Sequence, residues 1–87
     1  LFGMSALATS IVNFLPENLK KKIILLSDND MAKHNKLLCG FNMKISNPSK
    51  LLSLKYDKLL ICSYFFKKEI VNSLKNFIKD PKKIVLI

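Results

Sequence analysis

Residues 3–8 form the part of the chain whose types and spacing could bind an anion. They read Gly-Met-Ser-Ala-Leu-Ala, which keeps the spacing of a G-x-G-x-x-G turn with Ser5 and Ala8 in place of two glycines. Gly3 permits a tight turn, Ser5 offers a hydroxyl where a pyrophosphate would approach, and Ala8 is small enough for close helix packing. The helix that begins here presents free N–H groups to an anion. The sequence therefore predicts a phosphate-binding turn at Gly3, Ser5 and Ala6.

Two polar residues at predicted strand ends complete the candidate site. Asp28 follows an apolar run about twenty residues after the turn, where a carboxylate would accept hydrogen bonds from a ribose diol. Ser63 follows another apolar run and is expected at the same carboxyl edge of the sheet, beside Tyr64. The predicted ligand is a nucleotide such as NAD, or a nucleotide sugar. A purely structural interpretation stays open, because any α/β turn needs small residues and Asp28 can simply cap the next helix.

No arrangement of residues predicts catalysis or metal binding. His34 has no acid or nucleophile tied to it in the sequence and is expected in a solvated loop. Ser5 lies outside any Gly-x-Ser-x-Gly elbow. Cys39 and Cys62 lack the spacing of metal ligands, so we expect both to be reduced, buried thiols.

The net charge of +9 comes from fifteen lysines without any arginine. Specific base recognition depends on arginine forks and aromatic platforms, whereas Phe14, Phe66 and Phe77 are assigned to apolar helix faces. Charge alone supports only non-specific attraction, so a basic nucleic-acid-binding module stays open only as a third, less favoured alternative. No apolar run reaches the ~18 residues of a membrane span, and no signal peptide is recognisable. We therefore expect no membrane span and a cytoplasmic location.

The periodicity of apolar residues predicts alternating strands and helices. Continuous apolar runs at 23–26, 59–62 and 84–87 predict buried strands, and residues 43–45 predict a shorter one. Helical spacing runs from Leu7 to Leu15, where Pro16 should end the helix, and again from Phe66 to Ile78. Asp30 and Asn47 are expected to cap further short helices.

This order predicts an α/β fold, a small three-layer Rossmann-like parallel sheet. By analogy, about five strands should lie in the order 3-2-1-4-5 with helices on both faces. Only Leu1 and Phe2 precede Gly3 as a first strand, which is short for a central strand. We therefore expect residues 1–87 to be a single domain with a truncated first strand, a fragment of a longer protein.

The layout resembles small Rossmann-like accessory domains of bacterial sugar-modifying and surface-polysaccharide enzymes. Characteristic pieces include Asp-Asn-Asp after a strand, Asn-Pro before a helix, and Asp-Lys-Leu-Leu-Ile-Cys-Ser in a strand. The matching stretches are residues 1–8, 28–30, 40–45, 47–51, 57–63, 69–74 and 83–87. The chain is similar to the C-terminal domain of sugar C-methyltransferases and to nucleotide-binding-like modules fused to glycosyltransferases or nucleotide-sugar dehydratases.

The resemblance implies a module that binds a nucleotide or nucleotide sugar while a catalytic domain of the parent protein performs the reaction. Ser5 departs from the usual small-residue turn, which favours the fused modules over the methyltransferase domain. The alternative is a degenerate interaction or oligomerisation domain, such as the C-terminal part of a sugar methyltransferase. An apolar patch near Leu37, Leu38 and Phe41 would serve such homo-oligomer contacts.

Overall fold

Short helices and strands alternate along the chain in the computed structural model, which describes residues 1–38, 40–63 and 66–86. The strands are β1 (Leu26–Ser27), β2 (Leu37–Leu38), β3 (Phe41–Ser46), β4 (Leu59–Ile61) and β5 (Ile84–Leu86). The α-helices are α1 (Ala6–Phe14), α2 (Glu17–Lys20) and α3 (Lys67–Ser73), with 3₁₀ helices at Met31–Lys33, Pro48–Leu52 and Pro81–Lys83. Predictions about Cys39, Tyr64 and the final residue of the last strand lie outside the described residues.

Residues 1–3 connect the ends of β1 and β4, and Phe2 forms isolated parallel bridges to both strands. On one side the N–H of Gly3 donates to the carbonyl of Ser27 at 2.9 Å. On the other, the N–H of Phe2 donates to Leu60 O at 2.8 Å, and Cys62 N donates to Phe2 O at 2.7 Å. The Phe2 side chain is only 1% exposed. Backbone pairing on both sides therefore fixes where the chain enters the turn at Gly3.

The expected five-stranded parallel Rossmann-like sheet in the order 3-2-1-4-5 is wrong. The described strands form a three-stranded sheet, β1-β3-β2, and a two-stranded sheet, β4-β5, and the bridges of Phe2 join the two at β1 and β4. The first is mixed, because β1 is parallel to β3 whereas β2 is antiparallel to it. A parallel connection needs a crossover of roughly a dozen residues or more, and the short turn through Gly40 permits only a hairpin. The apolar run at 23–26 predicted a longer strand than β1, which begins at Leu26.

The helices are shorter than their apolar patterns suggested. α1 ends at Phe14, before Pro16 as predicted, and buries Ala8 and Val12. Phe14 itself is 87% exposed, so its assignment to the apolar face was wrong. The pattern from Phe66 to Ile78 yields α3 only over Lys67–Ser73, with Phe66 at the N-cap position. No helix among the described residues is long and apolar enough to cross a bilayer.

Side-chain caps begin the 3₁₀ helices. The carboxylate of Asp30 accepts a hydrogen bond from Ala32 N, and the amide oxygen of Asn47 accepts one from Ser49 N, both at 3.0 Å. Both predicted caps are confirmed, although the helix expected after Asn47 is a 3₁₀ helix. Caps of this kind satisfy N–H groups that a short helix leaves unpaired.

The core consists of two clusters of buried apolar residues. One contains Met4, Ala8, Val12, Leu26, Leu38, Ile45 and Cys62, and the other contains Phe2, Leu51, Leu59, Ile61 and Leu74. Leu38 is only 7% exposed and belongs to the first cluster, whereas Leu37 is 58% exposed. The expected patch of Leu37, Leu38 and Phe41 is therefore not a continuous exposed surface.

Replacing Gly3 with alanine should destabilise the fold. Gly3 has φ = 92°, and an added Cβ would lie 3.1 Å from the carbonyl oxygen of Cys62. Since an L-residue resists positive φ, we expect Gly3→Ala to lower the free energy of unfolding by about 1–2 kcal/mol, measured by urea denaturation. Ser10→Ala, at an exposed position of α1, is the control and should change it by less than about 0.5 kcal/mol. Equal losses in both variants would contradict this account.

Candidate functional site

A pocket of about 190 Å³ lies where the turn at Gly3 meets the carboxyl ends of β1 and β4. Gly3, Ser5, Asp28 and Ser63 line this pocket, so the fold brings together four residues singled out in the sequence. Ala6 does not line it and is exposed at the start of α1. The residues meet because residues 1–3 run parallel to both strands, which places all three carboxyl ends at one edge.

The carboxylate of Asp28 lies against the turn. Its Oδ2 accepts a hydrogen bond from the N–H of Met4 at 2.7 Å, and its Oδ1 accepts one from Asp30 N at 2.8 Å. The ammonium of Lys33 lies 3.5 Å from the same Oδ2. An ionised carboxylate has about four acceptor positions, so three contacts leave about one for a ligand hydroxyl. Asp28 therefore organises the turn and keeps limited capacity for a ligand.

Lys33 is a pocket residue that the sequence analysis missed. Besides contacting Asp28, its Nζ donates to the carbonyl oxygen of Met4 at 3.2 Å, and the side chain remains 41% exposed. Lys33 ends the 3₁₀ helix that Asp30 caps. The sequence did contain a signal for this position. Asp30 is a helix cap two residues after Asp28, and a short helix that begins there can bring Lys33 back toward the turn at Gly3. The ammonium brings positive charge to the pocket and partly balances the carboxylate.

His34 and Asn29 hold the loop after β1 in place. The Nε2 of His34 lies 2.7 Å from the carbonyl oxygen of Asp28, which can only accept, so Nε2 carries the hydrogen. His34 lies in a turn, as expected, but it is half-buried rather than fully solvated. Asn29 lines the pocket and donates from Nδ2 to the hydroxyl of Ser73 at 2.8 Å. The loop is therefore anchored to its own backbone and to α3.

Ser5 begins α1 without capping it. Its backbone is extended, and its hydroxyl donates to the carbonyl oxygen of Cys62 at 2.9 Å. The hydroxyl proton is therefore engaged, while the oxygen can still accept a hydrogen bond. Because no side chain caps α1, its first N–H groups remain available to a negatively charged ligand.

Ser63 and Phe66 form the opposite side of the pocket. Ser63 Oγ accepts a hydrogen bond from the N–H of Phe66 at 3.2 Å, and within the described residues its own O–H has no acceptor. Phe66 is 63% exposed, so an aromatic ring is accessible where it lines the pocket. The sequence analysis placed Phe66 on the apolar face of a helix, but at the N-cap it lies outside that periodicity. The exposure of the Phe66 ring was therefore not predictable from the spacing of apolar residues in the sequence.

Cys62 forms part of the pocket wall as a fully buried, free thiol, as predicted. Burial raises the pKa of this thiol, which disfavours the thiolate. Burial outweighs the nearby N-terminal ammonium and the backbone hydrogen bond at Phe2, both of which lower the pKa, so Cys62 is not activated as a nucleophile. Within residues 1–38, 40–63 and 66–86, no group of three or more His, Cys, Asp or Glu side chains is arranged to hold a metal ion.

Replacing Asp28 with asparagine should destabilise the fold, because the Asp28 carboxylate holds the turn at residues 3–5 in place. Met4 N and Asp30 N donate to different oxygens of Asp28, and in asparagine an NH₂ group takes the place of one of them, so one N–H would face a donor. We expect Asp28→Asn to lower the free energy of unfolding by about 1–3 kcal/mol in urea. The matched control is Asp57→Asn at an exposed position, which should stay within about 0.5 kcal/mol. Similar stabilities for the two variants would show that the carboxylate does not hold the turn.

The comparisons with known proteins identify a family without describing an activity. No curated protein and no solved structure matches this sequence. The resemblance to sugar-modifying enzymes stays a prediction, because the description of the matching family states neither a ligand nor a reaction. The model of that family, described as C2185-like, N-terminal, matches residues 1–85. The chain therefore belongs to the C2185-like, N-terminal family.

Proposed function

We propose that this chain is an accessory module that binds a nucleotide or nucleotide sugar and has no catalytic activity of its own. The observation that carries the proposal is the meeting of Gly3, Ser5, Asp28 and Ser63 around one pocket that also receives Lys33. Residues far apart in the chain thereby supply acceptors, hydroxyl groups and a positive charge at the carboxyl ends of parallel strands, where ligands of α/β proteins commonly bind.

The charges around the pocket favour a ligand with an anionic part. Lys33 is partly exposed, and α1 begins without a side-chain cap directly after Ser5, a pocket residue, so the positive end of the helix dipole lies beside the pocket. The net charge of +9 also favours the approach of an anion over long distances. These features support the phosphate groups of a nucleotide as one part of the ligand.

The same contacts argue against chemistry performed by this pocket alone. The Asp28 carboxylate already accepts from two backbone N–H groups, and His34 does not line the pocket. Burial keeps the Cys62 thiol protonated. A general acid or base needs a proton position free to exchange with the substrate, so we assign the reaction to a catalytic domain of the parent protein.

The parent protein in this proposal is a cytoplasmic enzyme of bacterial surface-glycan synthesis that modifies or transfers sugars. The sequence resemblance supports the class of enzyme, and the free thiol of Cys62 supports a reducing compartment. At about 190 Å³ the pocket is smaller than the roughly 300–1,000 Å³ of typical ligand sites. Part of the ligand would therefore extend outside it, within reach of a neighbouring domain.

Thermal denaturation with NAD, UDP-glucose, UDP-N-acetylglucosamine and S-adenosylmethionine tests this function. We expect at least one nucleotide ligand to raise Tm, because a ligand at 100 times its Kd stabilises by about 2.7 kcal/mol. Lys33→Ala should reduce the shift, whereas Lys75→Ala removes an exposed lysine of the turn after α3 and should leave the shift unchanged. A flat response to the whole panel by a folded protein would refute nucleotide binding.

One observation favours a second function, a degenerate interaction or oligomerisation domain. Within the described strands β5 pairs only with β4, so its other edge is unpaired. Val85 and Leu86 on this strand are 37% and 53% exposed. An apolar edge strand is a template for pairing with another chain.

Light scattering across a range of protein concentrations tests the second function. A homo-oligomer formed through β5 should increase the mass with concentration, and Leu86→Lys should restore the monomer because a charge would be buried in the contact. Leu52→Lys, at another partly exposed apolar position, should leave the mass unchanged. A monomer at every concentration would exclude self-association through this edge.

A further inference from the structure

We propose that the pocket receives the neutral ring of a sugar, and that the phosphate groups of a nucleotide sugar remain at its mouth near Lys33. The inference rests on the proposed function and identifies which part of the ligand the pocket recognises. It assigns the ring to Asp28, Ser63 and Phe66. None of the three would then act on a phosphate group.

The position of Asp28 argues against a phosphate inside the pocket. Its Oδ2 already accepts the hydrogen bond from the N–H of Met4 at 2.7 Å. This N–H belongs to the turn and would otherwise be free to donate to a phosphate. The side chain is 14% exposed and paired with Lys33 at 3.5 Å. A phosphate inside would meet a carboxylate at short range in a region of reduced dielectric, and like charges there repel strongly. The exposed side of Lys33 can instead receive the phosphate outside.

The polar groups that remain free match hydroxyl groups. Asp28 keeps about one acceptor position, the oxygen of Ser5 can accept, and the O–H of Ser63 can donate. A sugar hydroxyl both donates and accepts, so neighbouring hydroxyls can satisfy all three groups. A phosphate only accepts and would leave Asp28 and Ser5 without a donor.

The apolar wall and the volume match one sugar ring. Phe66 is 63% exposed at the pocket, and Ile70 lines the same side. The C–H groups on one face of a pyranose can cover an aromatic ring and remove apolar surface from water. A cavity of roughly 150 Å³ binds benzene, so the 190 Å³ here suits a single six-membered ring with its substituents.

Isothermal titration of the intact chain with UDP, with NAD and with three UDP-sugars tests the inference. The sugars are glucose, galactose and N-acetylglucosamine. At least one UDP-sugar should bind ten or more times tighter than UDP, since only the sugar enters the pocket. Ser63→Ala and Phe66→Ala should each remove most of this difference and leave the affinity for UDP unchanged. Phe14→Ala is the matched control, because Phe14 is 87% exposed on α1 and does not line the pocket.

Other outcomes separate this inference from the proposed function. If UDP binds as tightly as every UDP-sugar, or if NAD binds and no UDP-sugar does, the sugar assignment is overturned while nucleotide binding stands. If the two pocket variants lower the affinity for UDP and UDP-sugars equally, the pocket holds the nucleotide and the inference is also wrong. Failure of every ligand to bind the folded chain would overturn both.

Discussion

The hydrogen bonds on both sides of residues 1–3 are the constraint on which the rest of the structure depends. Gly3 pairs with the end of β1, and Phe2 pairs with the backbone around β4. Without these bonds the sheet β1-β3-β2 and the sheet β4-β5 would share no backbone pairing among the described strands. Phe2 is buried in one core cluster and Met4 in the other, so residues 2–4 link the two clusters of the core.

The pocket is a direct consequence of this junction. The chain leaves the junction through Gly3 at φ = 92° and turns into α1, which opens space beside the ends of β1 and β4. Asp28 then holds the turn by accepting from Met4, and Lys33 balances the carboxylate. Asp28, which the proposed function assigns to the ligand, is thus also a structural group. In that proposal the double role limits the hydrogen bonds that Asp28 can offer and favours a small, hydroxyl-bearing ligand.

Local capping compensates for the shortness of the regular elements. A chain of this size buries only about 60% of its unfolded surface, and apolar residues such as Phe14 and Leu86 remain exposed. Asp30, Asn47 and Asp80 each accept a hydrogen bond from the N–H two residues later and so begin a 3₁₀ helix. These bonds order the connections without adding to the core. The described strands are only two to six residues long, so the capped 3₁₀ helices between them form a substantial part of the ordered backbone.

Interactions between near neighbours in the chain were readable from the sequence, and contacts between distant residues were not. The stop before Pro16, the caps at Asp30 and Asn47, and the turn at Gly3 depend on a few consecutive residues, and all were predicted. The Rossmann-like sheet was not correct, because a run of apolar residues indicates a strand without giving its partner or direction. Lys33 beside Asp28 and the exposed ring of Phe66 likewise required the folded chain. The sequence by itself determined the local turns and caps and supplied candidate site residues, whereas tertiary packing decided which residues share a pocket, because only pairing between distant strands brings Gly3, Asp28 and Ser63 together.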